Sequence, residues 1–109
     1  MVNSRAKGIR GELEVRDLLR RYGFAAKRGQ QHAGGDDSPD VKHNMEGFHI
    51  EVKRVQKLAL YPAMEQAAAD AALGETPIVF HKRNHKDWVV VIDAEDFLDL
   101  MNKYVYTRE

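Results

Sequence analysis

Two short stretches of sequence decide the fold of this chain, Ser38-Pro39-Asp40 and Ile50-Glu51-Val52-Lys53. Successive side chains of a β-strand point to opposite faces, so a strand through the second stretch places Glu51 and Lys53 on one face and two apolar residues on the other. If residues 43–47 form a turn, Asp40 lies on an adjacent strand. Two carboxylates and an ammonium group then converge. Because like charges a few ångströms apart cannot all stay ionised, this arrangement predicts a bound divalent cation.

The N-terminal segment is predicted to form an amphipathic helix from Asn3 or Ser4 to Tyr22, with a glycine as its stop signal. Its apolar stripe, extended by two glycines, consists of Val15, Leu18, Leu19, Tyr22, Gly8 and Gly11. Glu12 lies within about 20° of this stripe, so we expect its carboxylate to face inward. Glu14 falls on a different face and is expected to be exposed to solvent.

The rest of the chain alternates between strand and helix patterns. Strands are predicted over 24–28, 39–43, 48–54, 77–81 and 88–92, and helices over 62–73 and 93–102. Residues 29–38, with three glycines and two aspartates, predict a flexible loop. The order αβββαββα indicates an α/β fold with a small mixed β-sheet flanked by helices.

The bulk composition indicates one globular domain over residues 1–109. Of these residues 43% are hydrophobic and 31% are charged, which argues against intrinsic disorder. No apolar run approaches the ~20 residues of a transmembrane helix, and the basic N-terminus lacks the apolar stretch of a signal peptide. Cysteine is absent, which excludes disulfides and thiolate metal sites. We therefore expect a cytoplasmic protein with no membrane segment.

The charges are unevenly distributed although the formal net charge is zero. Residues 1–31 carry eight Lys or Arg against three acids, and a second basic cluster occupies 81–86. Local basic patches matter more to a polyanion than the net charge does, so a surface that faces phosphates is compatible with this sequence. The alternative is that these patches are ordinary solvated faces.

The acidic residues suit metal-assisted hydrolysis of a phosphodiester. Such a reaction needs a cation, a positioned water and stabilisation of the leaving oxygen. Carboxylates are preferred ligands of Mg²⁺, which makes Asp40, Glu51 and Glu12 candidate ligands, directly or through water. The main-chain carbonyl of Val52 is a further candidate. Lys53 would orient or deprotonate the attacking water, or stabilise negative charge, and the sequence leaves these roles open.

Two further residue types are less decisive. Gln66 lies on the predicted second helix, where it either reaches the site or is an ordinary helix glutamine. His81 and His85 would need a helix to share a zinc ion, but their segment has the pattern of a hairpin turn. The remaining histidines are scattered in sequence, at His32, His43 and His49. A zinc site is therefore not favoured.

Taken together, these residues resemble a known family. The matching pattern comprises Lys7-Gly8, Glu12, Glu14, Gly23-Phe24, Arg28, Asp40-Val41, Ile50-Glu51-Val52-Lys53, Tyr61, Gln66 and Pro77-Ile78-Val79-Phe80. It resembles the archaeal-type Holliday junction resolvases of the PD-(D/E)XK nuclease superfamily, in the short form carried by phages and prophages. The resemblance covers nearly the whole chain and implies a restriction-endonuclease-like fold.

The resemblance also implies roles for particular residues. Glu12, Asp40, Glu51 and Lys53 match the catalytic metal-binding set, and Arg28 matches a basic residue thought to contact the DNA backbone. The family tends to have an arginine directly after the first glutamate, where this chain has leucine. Family members act as homodimers that cut both strands of a four-way junction, so the resemblance implies a homodimer here.

The function expected from the sequence is a Mg²⁺-dependent, structure-selective DNA endonuclease, with Mn²⁺ able to substitute, that resolves Holliday junctions or other branched DNA. The alternatives are a related nicking, flap or restriction-like nuclease, or a catalytically silent DNA-binding subunit. If a phage encodes the protein, it would act in the bacterial host cytoplasm. The candidate phosphate contacts are Lys7, Arg10, Lys27, Arg28, Arg54, Lys57, Lys82, Arg83 and Lys86.

Overall fold

The computed structural model describes residues 4–29 and 40–108. Its elements are, in chain order, α1 (Ser4–Arg21), β1 (Ala26–Arg28), β2 (Val41–His43), β3 (Phe48–Arg54), α2 (Leu60–Asp70), β4 (Thr76–Lys82), β5 (Val89–Ile92) and α3 (Ala94–Arg108). The predicted flexible loop beyond residue 29, and Pro39 of the first diagnostic stretch, lie outside the described residues. Within the described ranges, no helix combines the length and apolar character needed to cross a bilayer.

The strands form a small mixed sheet and a separate two-stranded ribbon. In the sheet, β3 runs parallel to β4, with Glu51 opposite Val79, and β4 runs antiparallel to β5. In the ribbon, β1 runs antiparallel to β2. The predicted α/β fold, a small mixed sheet flanked by helices in the order αβββαββα, is confirmed.

One predicted strand pairing is wrong. In the part of the chain that the structure describes, β2 pairs with β1, with Arg28 opposite Val41, and not with β3. The N–H of Val52 on β3 instead donates a 2.7 Å hydrogen bond to Oδ2 of Asp40, the residue just before β2. Because a side chain supplies this acceptor, Asp40 reaches β3 without a backbone ladder between the two strands.

The core has one layer on each face of the sheet. Between α1 and the sheet, the buried cluster consists of Val15, Leu19, Val41, Ile50, Ile78 and Phe80. On the other face, Ala63 and Ala67 of α2 pack on Val79, as expected from the alanine-rich sequence of this helix. Tyr22 is 76% exposed, which corrects its assignment to the apolar stripe: α1 ends before it, so the helical spacing no longer applies.

Of the two glycines on the predicted stripe, only Gly11 marks a close approach. A Cβ atom at Gly11 would lie 2.9 Å from Cβ of Arg54, whereas one at Gly8 would meet nothing within 4 Å. At Gly11 the backbone of α1 is therefore in close contact with the Arg54 side chain of β3. The neighbouring Glu12 is 8% exposed and faces inward, as predicted.

The prediction that Glu14 is exposed to solvent is wrong. Its side chain is about one-third exposed, at 30%, and it accepts hydrogen bonds from three side chains. Nε of Arg10 lies 3.1 Å from Oε2, while Nε of Arg54 and Nε1 of Trp88 lie 3.3 and 3.2 Å from Oε1. Periodicity alone missed this arrangement because the buried Arg54 requires a carboxylate partner on the facing helix.

The last helix extends well beyond its predicted end at residue 102, since no proline or glycine interrupts the sequence up to Arg108. It has little contact with the other elements, and the molecule is 52 Å in its longest dimension. Its exposed large apolar side chains, spaced to share one face, are Phe97, Leu98, Met101, Tyr104 and Val105.

The contact at Gly11 generates a stability prediction. Gly11→Ala should lower the unfolding free energy by roughly 1–3 kcal/mol, because the added methyl group overpacks the α1–β3 contact. Gly8→Ala is the matched control: it lies in the same helix with open space around it, and it should stabilise the protein by ~1 kcal/mol through helix propensity. Urea denaturation measures both. Equal stability of the two variants would contradict the close approach.

Candidate active site

The site is built on one face of β3. His49, Glu51 and Lys53 alternate with core residues along this strand, so their side chains share the face that lies towards α2. Glu51 is only 4% exposed. Its carboxyl group is therefore held deep in the protein by a strand that packs between helices on both sides.

Asp40 joins this face from the start of β2. Its Oδ2 accepts the Val52 N–H, which fixes the carboxyl group beside β3, and a side-chain hydrogen bond links Asp40 to Glu51. Burial, together with the hydrogen bond and negative charge of Asp40, raises the pKa of Glu51 to about 8, although the Lys53 ammonium opposes the shift. Near neutral pH and without a cation, the carboxyl group of Glu51 is therefore largely protonated.

Glu12 approaches the same place from α1. Burial raises its pKa above the usual range, the nearby Asp40 adds to that shift, and the Arg28 hydrogen bond opposes it. Nε of Arg28 donates to Oε1 of Glu12 over 2.9 Å. Asp40 thus acts electrostatically on both Glu12 and Glu51, and Arg28 balances part of the charge of Glu12. Among the described residues, however, the carboxylate oxygens of positions 12, 40 and 51 do not all lie within 4.8 Å of one another.

Lys53 has a defined partner on α2. Its Nζ donates a 2.8 Å hydrogen bond to Oε1 of Gln66, so Gln66 reaches the site and is not an isolated helix glutamine. This contact fixes the position of the Lys53 ammonium relative to α2.

Sequence reasoning missed His49 and Asp70. One ligand atom each from His49, Glu51 and Asp70 lie within 4.8 Å of one another, which is a spacing that can hold a metal ion. This compact group shares only Glu51 with the predicted carboxylate set. A signal was present in the sequence: His49 precedes Glu51 by two residues on a strand, and Asp70 follows Gln66 by four residues on a helix.

Most of the predicted phosphate contacts lie on the surface. Lys57, Lys82, Arg83 and Lys86 line one groove, which lies between the end of β3 and the β4–β5 turn. A second groove includes Lys7 and Arg10, while Lys27 is exposed on the ribbon and Arg28 is partly exposed beside Glu12.

The structure corrects the prediction for Arg54. This residue is 7% exposed, and its guanidinium contacts Glu14 at 3.3 Å and Oδ1 of Asn84 at 3.4 Å. Its donors are directed to partners inside the protein, so it supports the α1–β3 contact and is not a phosphate contact.

Comparison with known proteins agrees with this architecture. No protein-family model matches the chain. Among solved structures, it is similar to Archaeoglobus fulgidus Hjc, a Holliday junction resolvase from an archaeal hyperthermophile, with 29% sequence identity and a TM-score of 0.55. The match covers 76% of this chain and 73% of that chain. The chain is therefore similar in fold and sequence to an archaeal Holliday junction resolvase, in agreement with the restriction-endonuclease-like fold and the resemblance that its motifs predicted.

Proposed function

We propose that this protein is a Mg²⁺-dependent, structure-selective DNA endonuclease that resolves Holliday junctions. One observation carries the proposal: Asp40, just before β2, raises the pKa of Glu12 on α1 and that of the buried Glu51 on β3, so acidic residues from three segments influence one another. The likeness to a protein described as a Holliday junction resolvase supports junction DNA as the substrate.

The donor set fits a hard divalent cation. Asp40, Glu51 and Glu12 supply carboxylate oxygens, and the main-chain carbonyl of Val52 lies on the same strand segment as Glu51. Oxygen ligands of this kind suit Mg²⁺, and Mn²⁺ can substitute because it accepts the same ligands. When bound, the cation neutralises charge on the phosphodiester and activates a water as nucleophile.

Lys53 is the residue we assign to charge stabilisation. Gln66 accepts one of the three ammonium donors, which fixes where the side chain points. The other two donors can bind non-bridging oxygens of the phosphate. An ammonium oriented in this way would lower the energy of the transition state more than it lowers that of the substrate, because charge builds up on the phosphate.

DNA recognition is assigned to shape and phosphate contacts. The proposed contacts are basic residues around the two grooves and the ribbon, now without Arg54, namely Lys7, Arg10, Lys27, Arg28, Lys57, Lys82, Arg83 and Lys86. Because such contacts release counterions, binding should weaken steeply as the salt concentration rises. We place this activity in the cytoplasm, which is that of the bacterial host if a phage encodes the protein.

We further propose that the protein acts as a homodimer through α3. The apolar stripe of this helix is exposed in the single chain, and Val89 and Val90 of β5 add exposed apolar surface nearby in sequence. The first half of α3 carries Glu95, Asp96 and Asp99, whereas its second half carries Lys103 and no acid. Two copies packed antiparallel would bury the stripes and bring acidic halves against basic ones, which suits a two-fold contact.

A cleavage panel tests the function. A synthetic four-way junction, a flap and a plain duplex are incubated with Mg²⁺ and, separately, with EDTA. We expect symmetric nicks near the crossover of the junction alone, only with Mg²⁺. Equal cutting of every substrate would identify a less selective nuclease, and binding without any cleavage would identify a silent DNA-binding subunit.

Glu51→Gln should abolish cleavage while DNA binding is retained. The amide cannot supply the anionic oxygen that a divalent cation needs, so we expect a loss of roughly 10²–10³-fold or more in single-turnover cleavage. Glu65→Gln on the exposed side of α2 is the matched control and should cleave normally. Full activity of Glu51→Gln would remove this residue from the mechanism.

The raised pKa of Glu51 also predicts a pH dependence. Its value in the folded state, about 8, exceeds the 4.5 of an ordinary glutamate, so the folded state binds the extra proton between these values. Without metal, the unfolding free energy should therefore fall as pH rises from about 5 to 8. Mg²⁺ should offset the fall near pH 8, where it can bind the ionised carboxylate.

Urea denaturation in EDTA and in Mg²⁺, repeated across this pH range, measures the effect. Glu51→Gln should flatten the metal-free slope, because the amide does not titrate. If the metal-free unfolding free energy of the wild type fell with pH no more steeply than that of Glu51→Gln, the raised pKa would be refuted.

Met101→Asp should convert the dimer into a monomer. Met101 lies in the centre of the α3 stripe, and a buried, unpaired carboxylate there would be strongly unfavourable. Asn102→Asp adds the same charge outside the stripe and is the control. Sedimentation equilibrium should give twice the 12.5 kDa chain mass for the wild type and the control, and one chain mass for Met101→Asp. A monomeric wild type would refute the proposed dimer.

A further inference from the structure

Two buried polar atoms lie in the cluster of His49, Glu51 and Asp70, and one of them belongs to His49, a residue that the proposed nuclease chemistry does not use. Nε2 of His49 and Oε1 of Glu51 are buried, and neither has a hydrogen-bond partner among the described residues. The two side chains belong to residues that are 7% and 4% exposed. Leaving such atoms unpaired is unfavourable, so each needs an explanation.

These two atoms face each other without bonding. They are 3.6 Å apart, which is too long for a hydrogen bond between a ring nitrogen and a carboxylate oxygen. Oε1 of Glu51 is thus directed to His49.

The spacing suits a shared metal ion. With metal–ligand distances of ~2.1 Å, two ligands of a tetrahedral ion lie about 3.4 Å apart, close to the observed separation of these atoms. Asp70 provides a third ligand within 4.8 Å, and because it is exposed its carboxylate is free to adjust towards an ion. Asp70 is also the last residue of α2, where the helix dipole favours positive charge.

The cluster is open to solvent on one side. His49 and Asp70 line a cavity that also includes His43 and Glu75, so an ion can enter beside these two ligands.

We propose that His49, Glu51 and Asp70 form a second cation site, which prefers divalent ions that bind imidazole, Zn²⁺ foremost and Mn²⁺ less tightly, over Mg²⁺. A nitrogen ligand favours zinc over manganese in the usual order of affinities, and magnesium prefers all-oxygen ligands. Glu51 is common to this site and to the proposed magnesium site. Cation binding at the second site requires neither DNA nor cleavage. Its test can therefore fail while the proposed nuclease function holds, and the reverse is also true.

Metal binding by the full-length, untagged chain without DNA tests the proposal. Pulsed electron paramagnetic resonance of bound Mn²⁺ should detect a coordinated imidazole nitrogen. Competition with a chromophoric chelator should give a Zn²⁺ affinity that excess Mg²⁺ hardly changes. His49→Gln should remove the nitrogen signal and weaken Zn²⁺ binding about tenfold or more.

Two variants isolate the site. His85→Asn, at an exposed turn position with a φ of 63°, removes a histidine outside the cluster and should leave both measurements unchanged. Asp40→Asn should keep the nitrogen signal even where it abolishes Mg²⁺-dependent cleavage, which separates this site from the nuclease site.

Three results would overturn the proposal: no nitrogen signal in the wild type, a signal that survives His49→Gln, or Zn²⁺ binding displaced by Mg²⁺ at equal concentration. If His49→Gln does not fold, Asp70→Asn provides the test, because its side chain is exposed and its loss does not disturb the core. Unchanged Zn²⁺ affinity in Asp70→Asn would then refute the site.

Discussion

The buried carboxyl group of Glu51 is the constraint on which the rest of the structure depends. A carboxylate that is 4% exposed is unfavourable without compensation, and here the adjacent Asp40 adds negative charge. Protonation of Glu51, whose pKa is raised to about 8, and the ammonium of Lys53 compensate for this burial. A bound cation would let the carboxyl group ionise near neutral pH, which connects the buried position of Glu51 to the metal dependence proposed above.

The inward position of the third carboxyl group, that of Glu12, depends on how α1 packs against β3. Glu12 reaches the site because its neighbour Gly11 has no Cβ atom, which lets α1 lie against Arg54 on β3. Arg54 is itself buried and needs Glu14, the residue two positions after Glu12. The segment 11–14 therefore combines a close approach, an inward carboxylate and a structural ion pair within one turn of helix.

The sequence predicted most of the fold, the inward position of Glu12 and the shared face of Glu51 and Lys53, because alternation on β3 and helical spacing on α1 are local patterns. It did not predict what depends on tertiary partners. The roles of Glu14 and Arg54 follow from their mutual contact, which spans forty positions in sequence. The pairing of β2 with β1 was missed because the Asp40 side chain, and not a strand, bonds to Val52. His49 was missed because it was weighed with other histidines and not by its position on β3.

The connection from β3 through α2 to β4 explains why β3 and α2 carry both the Lys53–Gln66 contact and the cluster of His49, Glu51 and Asp70. Since β3 and β4 are parallel, α2 must run back along the sheet, opposite in direction to β3. Residues near the end of β3 then contact residues earlier in α2, and residues near the start of β3 contact residues at the end of α2. Lys53 accordingly contacts Gln66, while His49 and Glu51 face Asp70, one helical turn further on. A single crossover thus holds both the ammonium of the proposed nuclease site and the ligands of the second cation site, with Glu51 between them.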